Sequence, residues 1–232
     1  MKTRRSPYMR HRFPPEIISH AVWLYFRFSL SFRDVEDLLA ERGVIVTHET
    51  IRQGSVKFGA QYSRRLKRRQ GRLGDTWYLD EVFVRINGKQ QYLWRAVDQD
   101  GDVIDILVQR RRDGPAAKRF FQRLLKNQGK QPLRFVTDRL GSYRVAHREV
   151  MPQVTHDTTR YANNRAEVSH QPTRQRERQM RHFKSPNQAQ QFLHIHGVVQ
   201  NLFRVGRHLL RSANHRILRA RSFAVWTAVT AA

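Results

Sequence analysis

The sequence has no cysteine and few acidic residues, and both shortages limit the classes of protein that it can encode. Among its 232 residues there is no Cys, which excludes disulfides, zinc sites built on thiolates and catalysis by a thiol. Asp and Glu together number 19 against 44 Lys and Arg, so the formal net charge is +25. Such an excess of positive charge is typical of proteins that bind nucleic acid or an anionic membrane.

Long apolar segments are also missing. No apolar run approaches the roughly 18 residues that indicate a transmembrane helix. The N-terminus, Met1-Lys2-Thr3-Arg4-Arg5, is not followed by the apolar core of a signal peptide. We therefore expect a cytoplasmic protein that binds nucleic acid and makes no contact with a membrane. A structural RNA-binding protein of the ribosomal type has a similar composition, so composition indicates a class and not an activity.

Residues 1–62 are predicted to form a domain of three short helices. Pro14-Pro15 opens the first helix, Ser31 caps the second and Thr47 caps the third. A basic third helix after a tight connection is typical of a helix-turn-helix DNA-binding domain, although any three-helix bundle gives the same pattern. The exposed side of the third helix carries three candidate DNA contacts: His48, Arg52 and Lys57.

The third helix contains a weak point, and a basic segment follows it. Gln53-Gly54 lies where the apolar pattern requires an anchor, and a glycine inside a helix costs about 1 kcal/mol relative to alanine.

Residues 63–73 are predicted to be a linker between domains. Its positive side chains are candidates for lying along DNA phosphates: Arg64, Arg65, Lys67, Arg68 and Arg69.

Residues 74–210 are predicted to form a second domain of α/β (α+β) class, followed by a poorly patterned basic tail over 211–232. The first strand runs from about Thr76 to Ile86, and Asn87-Gly88 after it is a strong hairpin signal. Further strands and helices follow in the order βββαβαβα, which predicts a mixed five-stranded sheet flanked by helices. Sites in such sheets form where strands end.

Three acids occupy positions where a carboxylate needs an explanation. Asp80 lies beside Glu81 within the apolar first strand, where a buried carboxylate is costly unless it is paired, hydrogen-bonded or bound to a metal. One of the two could equally point to solvent or pair with an arginine. Asp138 ends a short strand, and Glu167 lies in the first turn of a helix that Asn164 is expected to cap. Glu167 faces inward if the neighbouring Val168 packs.

Three carboxylates from distant parts of a chain are a donor set that suits magnesium. Two such ions about 3.5–4 Å apart can activate a nucleophile and stabilise a leaving oxygen. Glu177 is the rival third acid, but it lies among arginines, where an ion pair explains it. His194 and His196 are two residues apart and cannot share a helix face, which argues against a zinc site.

Several segments resemble a known family. Gly74-Asp75-Thr76-Trp77-Tyr78-Leu79-Asp80-Glu81-Val82-Phe83-Val84, Tyr92-Leu93-Trp94-Arg95-Ala96-Val97-Asp98 and Val136-Thr137-Asp138 are its first three motifs. Asn163-Asn164-Arg165-Ala166-Glu167, Arg176-Glu177-Arg178 and Phe183-Lys184-Ser185 complete the pattern. Over roughly residues 12–210 the chain resembles the bacterial DDE transposases of the insertion-sequence-six family, whose catalytic core is ribonuclease-H-like.

The resemblance implies an activity and a set of partners. It makes Asp80, Asp138 and Glu167 the catalytic and metal-binding acids, with the first and fourth strands side by side. It implies two Mg²⁺ ions, for which Mn²⁺ can substitute, and no small-molecule substrate. The DNA is double-stranded, comprising the terminal inverted repeats of the element and a target, and the enzyme is a homodimer that lies on the nucleoid when bound. Four further arginines are candidate DNA contacts: Arg139, Arg174, Arg176 and Arg178.

The chain departs from the family pattern at three places. Gln53-Gly54 replaces an arginine-tryptophan pair, Arg139 replaces a lysine and Val168 replaces an asparagine. Arginine keeps the charge of lysine but presents a different geometry to phosphate. The alternative function is therefore a catalytically impaired copy that only occupies the ends of the element.

Overall fold

The computed structural model describes residues 6–71, 73–180, 183–205 and 210–231. The first five residues of the basic N-terminal arm, Arg72 of the predicted linker, and Arg181 and His182 of the basic segment before the last predicted helix lie outside these ranges. The chain divides into two compact units, each described by itself below. A helical unit comprises Met1–Gln70 and Ile195–Ala232, and a sheet unit comprises Gly71–His194.

The helical unit begins with helices α1 (Pro15–Arg27), α2 (Phe32–Ala40) and α3 (His48–Arg69). The predicted caps are confirmed. The Ser31 hydroxyl accepts a hydrogen bond from the Asp34 amide, the Asp34 carboxylate accepts one from the Ser31 amide, and the Thr47 hydroxyl accepts one from the Thr50 amide. These bonds satisfy amides that would otherwise have no partner at a helix start. Three helices are thus present, while their DNA-reading role stays a prediction.

Two boundaries differ from those expected. The basic segment is not a linker up to Arg69, because α3 continues through it, and the predicted tail contains a helix over Ser212–Thr230. Arg65 Nη1 lies 2.7 Å from the Val229 carbonyl oxygen and 3.1 Å from that of Ala231. A guanidinium there satisfies carbonyls at a helix end and interacts favourably with the helix dipole. The contact joins the basic segment of α3 to the C-terminal end of the helix over Ser212–Thr230.

The sheet unit is built on five strands: β1 (Thr76–Ile86), β2 (Lys89–Asp98), β3 (Val103–Gln109), β4 (Arg134–Val136) and β5 (Thr155–Asp157). Their order is β3-β2-β1-β4-β5. The first three strands are antiparallel neighbours, whereas β4 pairs parallel with both β1 and β5. The predicted mixed sheet is confirmed, and so is the expectation that the first and fourth strands are adjacent.

Five helices belong wholly or partly to this unit: α4 (Gly114–Gln128), α5 (Gly141–Val150), α6 (Asn164–Ser169), α7 (Gln171–Gln179) and α8 (Pro186–Phe203). The last continues into the helical unit, and Ser212–Thr230 is α9. Trp77 and Leu79 of β1 belong to a core cluster that includes residues of α4 and α5. Because successive side chains of a strand point to opposite faces, Asp80 lies on the other face.

No helix in the described ranges is long and apolar enough to cross a membrane.

Candidate active site

The strand register brings the first two acids together. Strands β1 and β4 run parallel, and Tyr78 is opposite Val136. Asp80 lies two residues beyond Tyr78 in β1 and on the same face, because side chains of a strand alternate with a period of two. Asp138 lies two residues beyond Val136, just past the end of β4. Asp138 is exposed, and its Oδ1 accepts a hydrogen bond from the Leu140 amide at 3.0 Å. The end of β4 therefore presents Asp138 beside the middle of β1.

Glu167 and Asp138 line one pocket of about 480 Å³. Glu167 is exposed in α6, and Val168 is 58% exposed, so the expected packing of Val168 that would turn Glu167 inward is wrong. The residue before α6 is Asn163 and not Asn164, and it makes no side-chain cap. Glu167 thus reaches the pocket from the surface. The pocket also contains Thr137, Thr158, Thr159, Asn163, Asn164, Arg139, Arg160 and Tyr161.

Both ends of the short helix α6 are fastened to the sheet beside Asp80. At its start, Asn163 Nδ2 donates to the Leu79 carbonyl oxygen at 2.8 Å. At its end, the Arg95 guanidinium donates to the Ser169 carbonyl oxygen and to the Thr173 hydroxyl of α7. Arg95 is the cross-strand partner of Asp80. A six-residue helix has little stability of its own, so these bonds fix the position of Glu167.

Burial shapes the electrostatics of this network. Arg95 is buried, and burial lowers its guanidinium pKa to about 10. His170, at the junction of α6 and α7, is also buried, and its Nε2 lies 3.2 Å from Asp80 Oδ2. Burial lowers the pKa of this imidazole, only partly opposed by Asp80. Asp80 is thus contacted by a histidine rather than by one of the arginines considered from the sequence.

Glu81 points to the opposite face and has different partners. Its side chain is 2% exposed, it accepts a hydrogen bond from the Tyr143 hydroxyl, and Arg112 Nε lies 3.1 Å away. Burial raises the pKa of Glu81 to about 7, and the charges of Asp138 and Asp80 contribute in the same direction. The arginine-pairing interpretation therefore applies to Glu81.

The donor chemistry fits a hard divalent cation, since carboxylate oxygens are the ligands that magnesium prefers. Two of the three predicted acids share a pocket that is open enough to admit a phosphate group. Within the described ranges, however, no group of three or more His, Asp or Glu side chains is already arranged to hold a metal ion. The prediction that all three acids converge on one metal centre therefore stays a prediction.

The rival acid Glu177 lies elsewhere. Its Oε1 accepts a hydrogen bond from the Arg85 amide at 3.3 Å, five residues beyond Asp80 along β1. At about 3.3 Å per residue this separation is too large for a shared ion. The geometry therefore favours Glu167 as the third acid.

The predicted DNA contacts fall into three groups. Three candidates on α3 are exposed, and each contacts another side chain within 3.2 Å. His48 contacts Glu36, Arg52 contacts Glu49, and Lys57 contacts His11. Arg65 and Lys67 are half-buried, and Arg176 is 1% exposed with its guanidinium over the Phe192 ring. Burial of Arg176 argues against a phosphate contact and for a packing role. The remaining candidates are exposed: Arg64, Arg68, Arg69, Arg139, Arg174 and Arg178.

Sequence reasoning missed Arg95, His170 and Tyr161 as parts of this region. A signal existed for Arg95: a two-residue turn at Asn87-Gly88 pairs residues equidistant from it, which places Arg95 opposite Asp80. For His170 the only indication that it belongs to this region was its position three residues after Glu167. Nothing in the sequence marked Tyr161.

Solved structures similar to this chain include an integrase catalytic core domain and an intasome. The catalytic core domain of the HTLV-2 integrase, in complex with magnesium in its trimeric form, is 13% identical, with a TM-score of 0.43 over 62% of this chain and 94% of that one. The simian T-cell lymphotropic virus intasome in complex with a PP2A regulatory subunit has a TM-score of 0.41 at 14% identity, over 62% and 52% of the two chains.

Sequence comparison is more specific. The DDE domain model of IS240-type transposases matches residues 74–206. The transposase for insertion sequence-like element IS431mec of Staphylococcus aureus is 34% identical over 169 residues, which are 70% of this chain and 75% of that protein. The transposase for insertion sequence element IS257 in transposon Tn4003, from the same species, has the same identity and coverage. These matches confirm the resemblance found in the sequence, and the chain belongs to the DDE transposases of the insertion-sequence-six family.

Proposed function

We propose that this transposase cleaves DNA strands at the ends of its insertion sequence and transfers them to a target, with Asp80, Asp138 and Glu167 as its catalytic acids. The observation that carries the assignment is the shared pocket of Asp138 and Glu167, beside which the register of β1 and β4 brings Asp80. Strand cleavage and strand transfer are both phosphoryl-transfer reactions, which depend on positioning and on stabilising charge.

The three acids would hold two Mg²⁺ ions, and Mn²⁺ can replace them. When bound, the ions would supply Lewis-acid stabilisation of the reacting phosphate and would lower the pKa of the nucleophile. Asn163 and Arg95 hold the helix that carries Glu167, and His170 orients the Asp80 carboxylate. Arg139 and Arg160 bring positive charge to the same pocket, where it attracts a DNA phosphate.

The DNA partners follow from the reaction. The enzyme acts in the cytoplasm on double-stranded DNA, namely the terminal inverted repeats and a target, with the net charge of +25 supplying affinity that does not depend on sequence. Two element ends must be held together for transfer, so we infer a homodimer. His48, Arg52 and Lys57 of α3 are the proposed contacts to the repeats.

The test compares the wild type with Asp80→Asn, Asp138→Asn and Glu167→Gln on a duplex that carries the element ends. Each substitution keeps the shape of the side chain but removes the charge that holds a cation. We expect Mg²⁺-dependent cleavage to be lost in all three variants, while DNA binding persists and weakens with added salt. Glu177→Gln is the matched control and should cleave normally. Cleavage at the wild-type rate by any of the three variants would remove that residue from the site.

A further inference from the structure

Tyr161 has an unusual backbone conformation. Its φ is +68°, and in the described ranges only Arg10 and Asn87 share a positive φ among residues other than glycine. Asn87 belongs to the hairpin turn after β1, where asparagine is common. For a bulky side chain this conformation is strained, and such strain persists only where the surroundings enforce it.

The loop between β5 and α6 enforces that conformation. The Asp157 carboxylate accepts a hydrogen bond from the Thr159 amide at 2.9 Å, and the Thr159 carbonyl accepts one from the Ala162 amide at 3.1 Å. The Tyr161 carbonyl accepts one from the Asn164 amide at 3.3 Å. Asn163 then anchors the end of the loop to β1. The loop therefore holds Tyr161 in place.

The aromatic ring is not held there by burial. Tyr161 is 68% exposed, and it lines the same pocket as Asp138 and Glu167. The guanidinium of Arg160 lies over the ring at 4.7 Å from its centre. An exposed ring next to a cation offers a flat apolar surface and a positive charge at one point of the pocket.

We propose that Tyr161 and Arg160 form a stacking platform for an unpaired nucleobase of the DNA strand, next to the phosphate that is cleaved. This proposal rests on the proposed function, because it takes the Asp138 and Glu167 pocket to be the place of cleavage. The ring stacks on the base, and the guanidinium contacts the adjoining phosphate. Bases of any identity have a face that can stack, so the platform recognises unpaired strands rather than a sequence.

A base inside a duplex cannot use this surface, because both of its faces are covered by its neighbours. The ligand must therefore be frayed or flipped out of the helix, which costs a few kcal/mol for a normal base pair and less near a strand end or nick. The open pocket of about 480 Å³ is large enough to admit a nucleobase. Cleavage at an element end would accordingly be favoured where the terminal base pairs open.

The test measures binding without catalysis. The probe is a short oligothymidine strand with one 2-aminopurine, mixed with the full chain in EDTA, because stacking quenches the fluorescence of 2-aminopurine. We expect quenching by the wild type and by Tyr161→Phe, which keeps the ring. Tyr161→Asn removes the ring but tolerates a left-handed backbone, and its affinity should fall at least about fivefold, the lower end of what one stacked base contributes.

Phe83→Ala is the matched control, since Phe83 is 66% exposed and does not line the pocket. Its affinity and quenching should equal those of the wild type. Circular dichroism of Tyr161→Asn should show the wild-type helix content. Equal binding and quenching by Tyr161→Asn and the wild type would overturn the proposal, as would an equal loss in Phe83→Ala. Because EDTA removes divalent cations, these outcomes are independent of whether the three acid-to-amide variants lose cleavage.

Discussion

His170 and Asp80 are in contact across two elements of the sheet unit, with Nε2 of the histidine 3.2 Å from Oδ2 of the aspartate. The histidine is buried at the junction of α6 and α7, and the aspartate lies in the middle of β1. Asp80 is a proposed metal ligand, and the loss of a side chain that orients such a carboxylate typically lowers metal affinity about 10- to 100-fold. The contact also links the helix of Glu167 to the strand of Asp80.

We predict that His170→Ala lowers the affinity for Mn²⁺ by about 10-fold, because the Asp80 carboxylate loses the group that orients it. Titration calorimetry of the free protein with Mn²⁺ measures this affinity directly. His147→Ala is the control, because His147 contacts the Val154 carbonyl oxygen at 2.8 Å and not Asp80, Asp138 or Glu167. Unchanged Mn²⁺ affinity in His170→Ala, or an equal loss in both variants, would contradict the orienting role.

A second prediction concerns Arg95, which bridges the Ser169 carbonyl and the Thr173 hydroxyl. In Arg95→Lys a single ammonium group replaces the planar guanidinium and cannot reproduce both bonds with the same geometry. We expect faster amide hydrogen exchange in residues 164–173, with β1 and α4 unchanged. Arg123→Lys is the control, because Arg123 pairs with Asp105 at 2.9 Å, away from α6. Uniformly faster exchange across the unit would indicate general destabilisation instead.

A third prediction concerns two glycines of α3. A Cβ on Gly54 would meet no atom within 4 Å, whereas one on Gly59 would lie 2.8 Å from Phe26 Cε2 and 3.3 Å from Ile195 Cδ1. Gly54→Ala should therefore raise the free energy of unfolding by about 1 kcal/mol, the gain in helix propensity. Gly59→Ala gains the same propensity but overpacks a buried ring, which costs about 1–3 kcal/mol.

Thermal unfolding of the two variants provides the comparison, and Gly59→Ala should unfold at the lower temperature. Equal melting temperatures would contradict the difference in packing between Gly54 and Gly59. Gly54 lines an apolar cavity of about 30 Å³ between the first three helices. That volume admits a small side chain, and an indole would have to widen it. Replacing Gln53-Gly54 by Arg-Trp, the pair of the family pattern, would therefore stabilise this region only if the cavity repacks.

A fourth prediction is a pH dependence from His156. Burial and the neighbouring His147 lower its pKa to about 4, while Asp157 opposes them. Because the folded state disfavours the protonated ring, the unfolded chain binds more protons between pH 6.5 and 4, and stability falls as the pH falls through this window. We expect His156→Gln to flatten the acid side of the melting-temperature profile. An unchanged slope would show that other groups cause it.

The sequence alone determined the main features of the sheet unit. Alternating apolar residues and the Asn87-Gly88 turn predicted the central hairpin, and that turn sets the register in which Arg95 opposes Asp80. The caps at Ser31 and Thr47 also followed from local chemistry, since their partners are only three residues away. These features are local, and a residue pattern is sufficient to specify them.

Only the tertiary structure decided what depends on contacts between distant segments. Residues 63–69 and 212–230 are helical, Arg176 is buried and Val168 is exposed. Each of these features depends on how distant segments of the chain pack together. The hydrogen bond of Asn163 to Leu79, at the start of α6, joins residues that are 84 apart in the sequence. The hydrogen bond of Arg95 to Ser169, at the end of α6, joins residues that are 74 apart. The physical reason is that local propensity scarcely constrains a six-residue helix, so hydrogen bonds to the sheet set the position of Glu167.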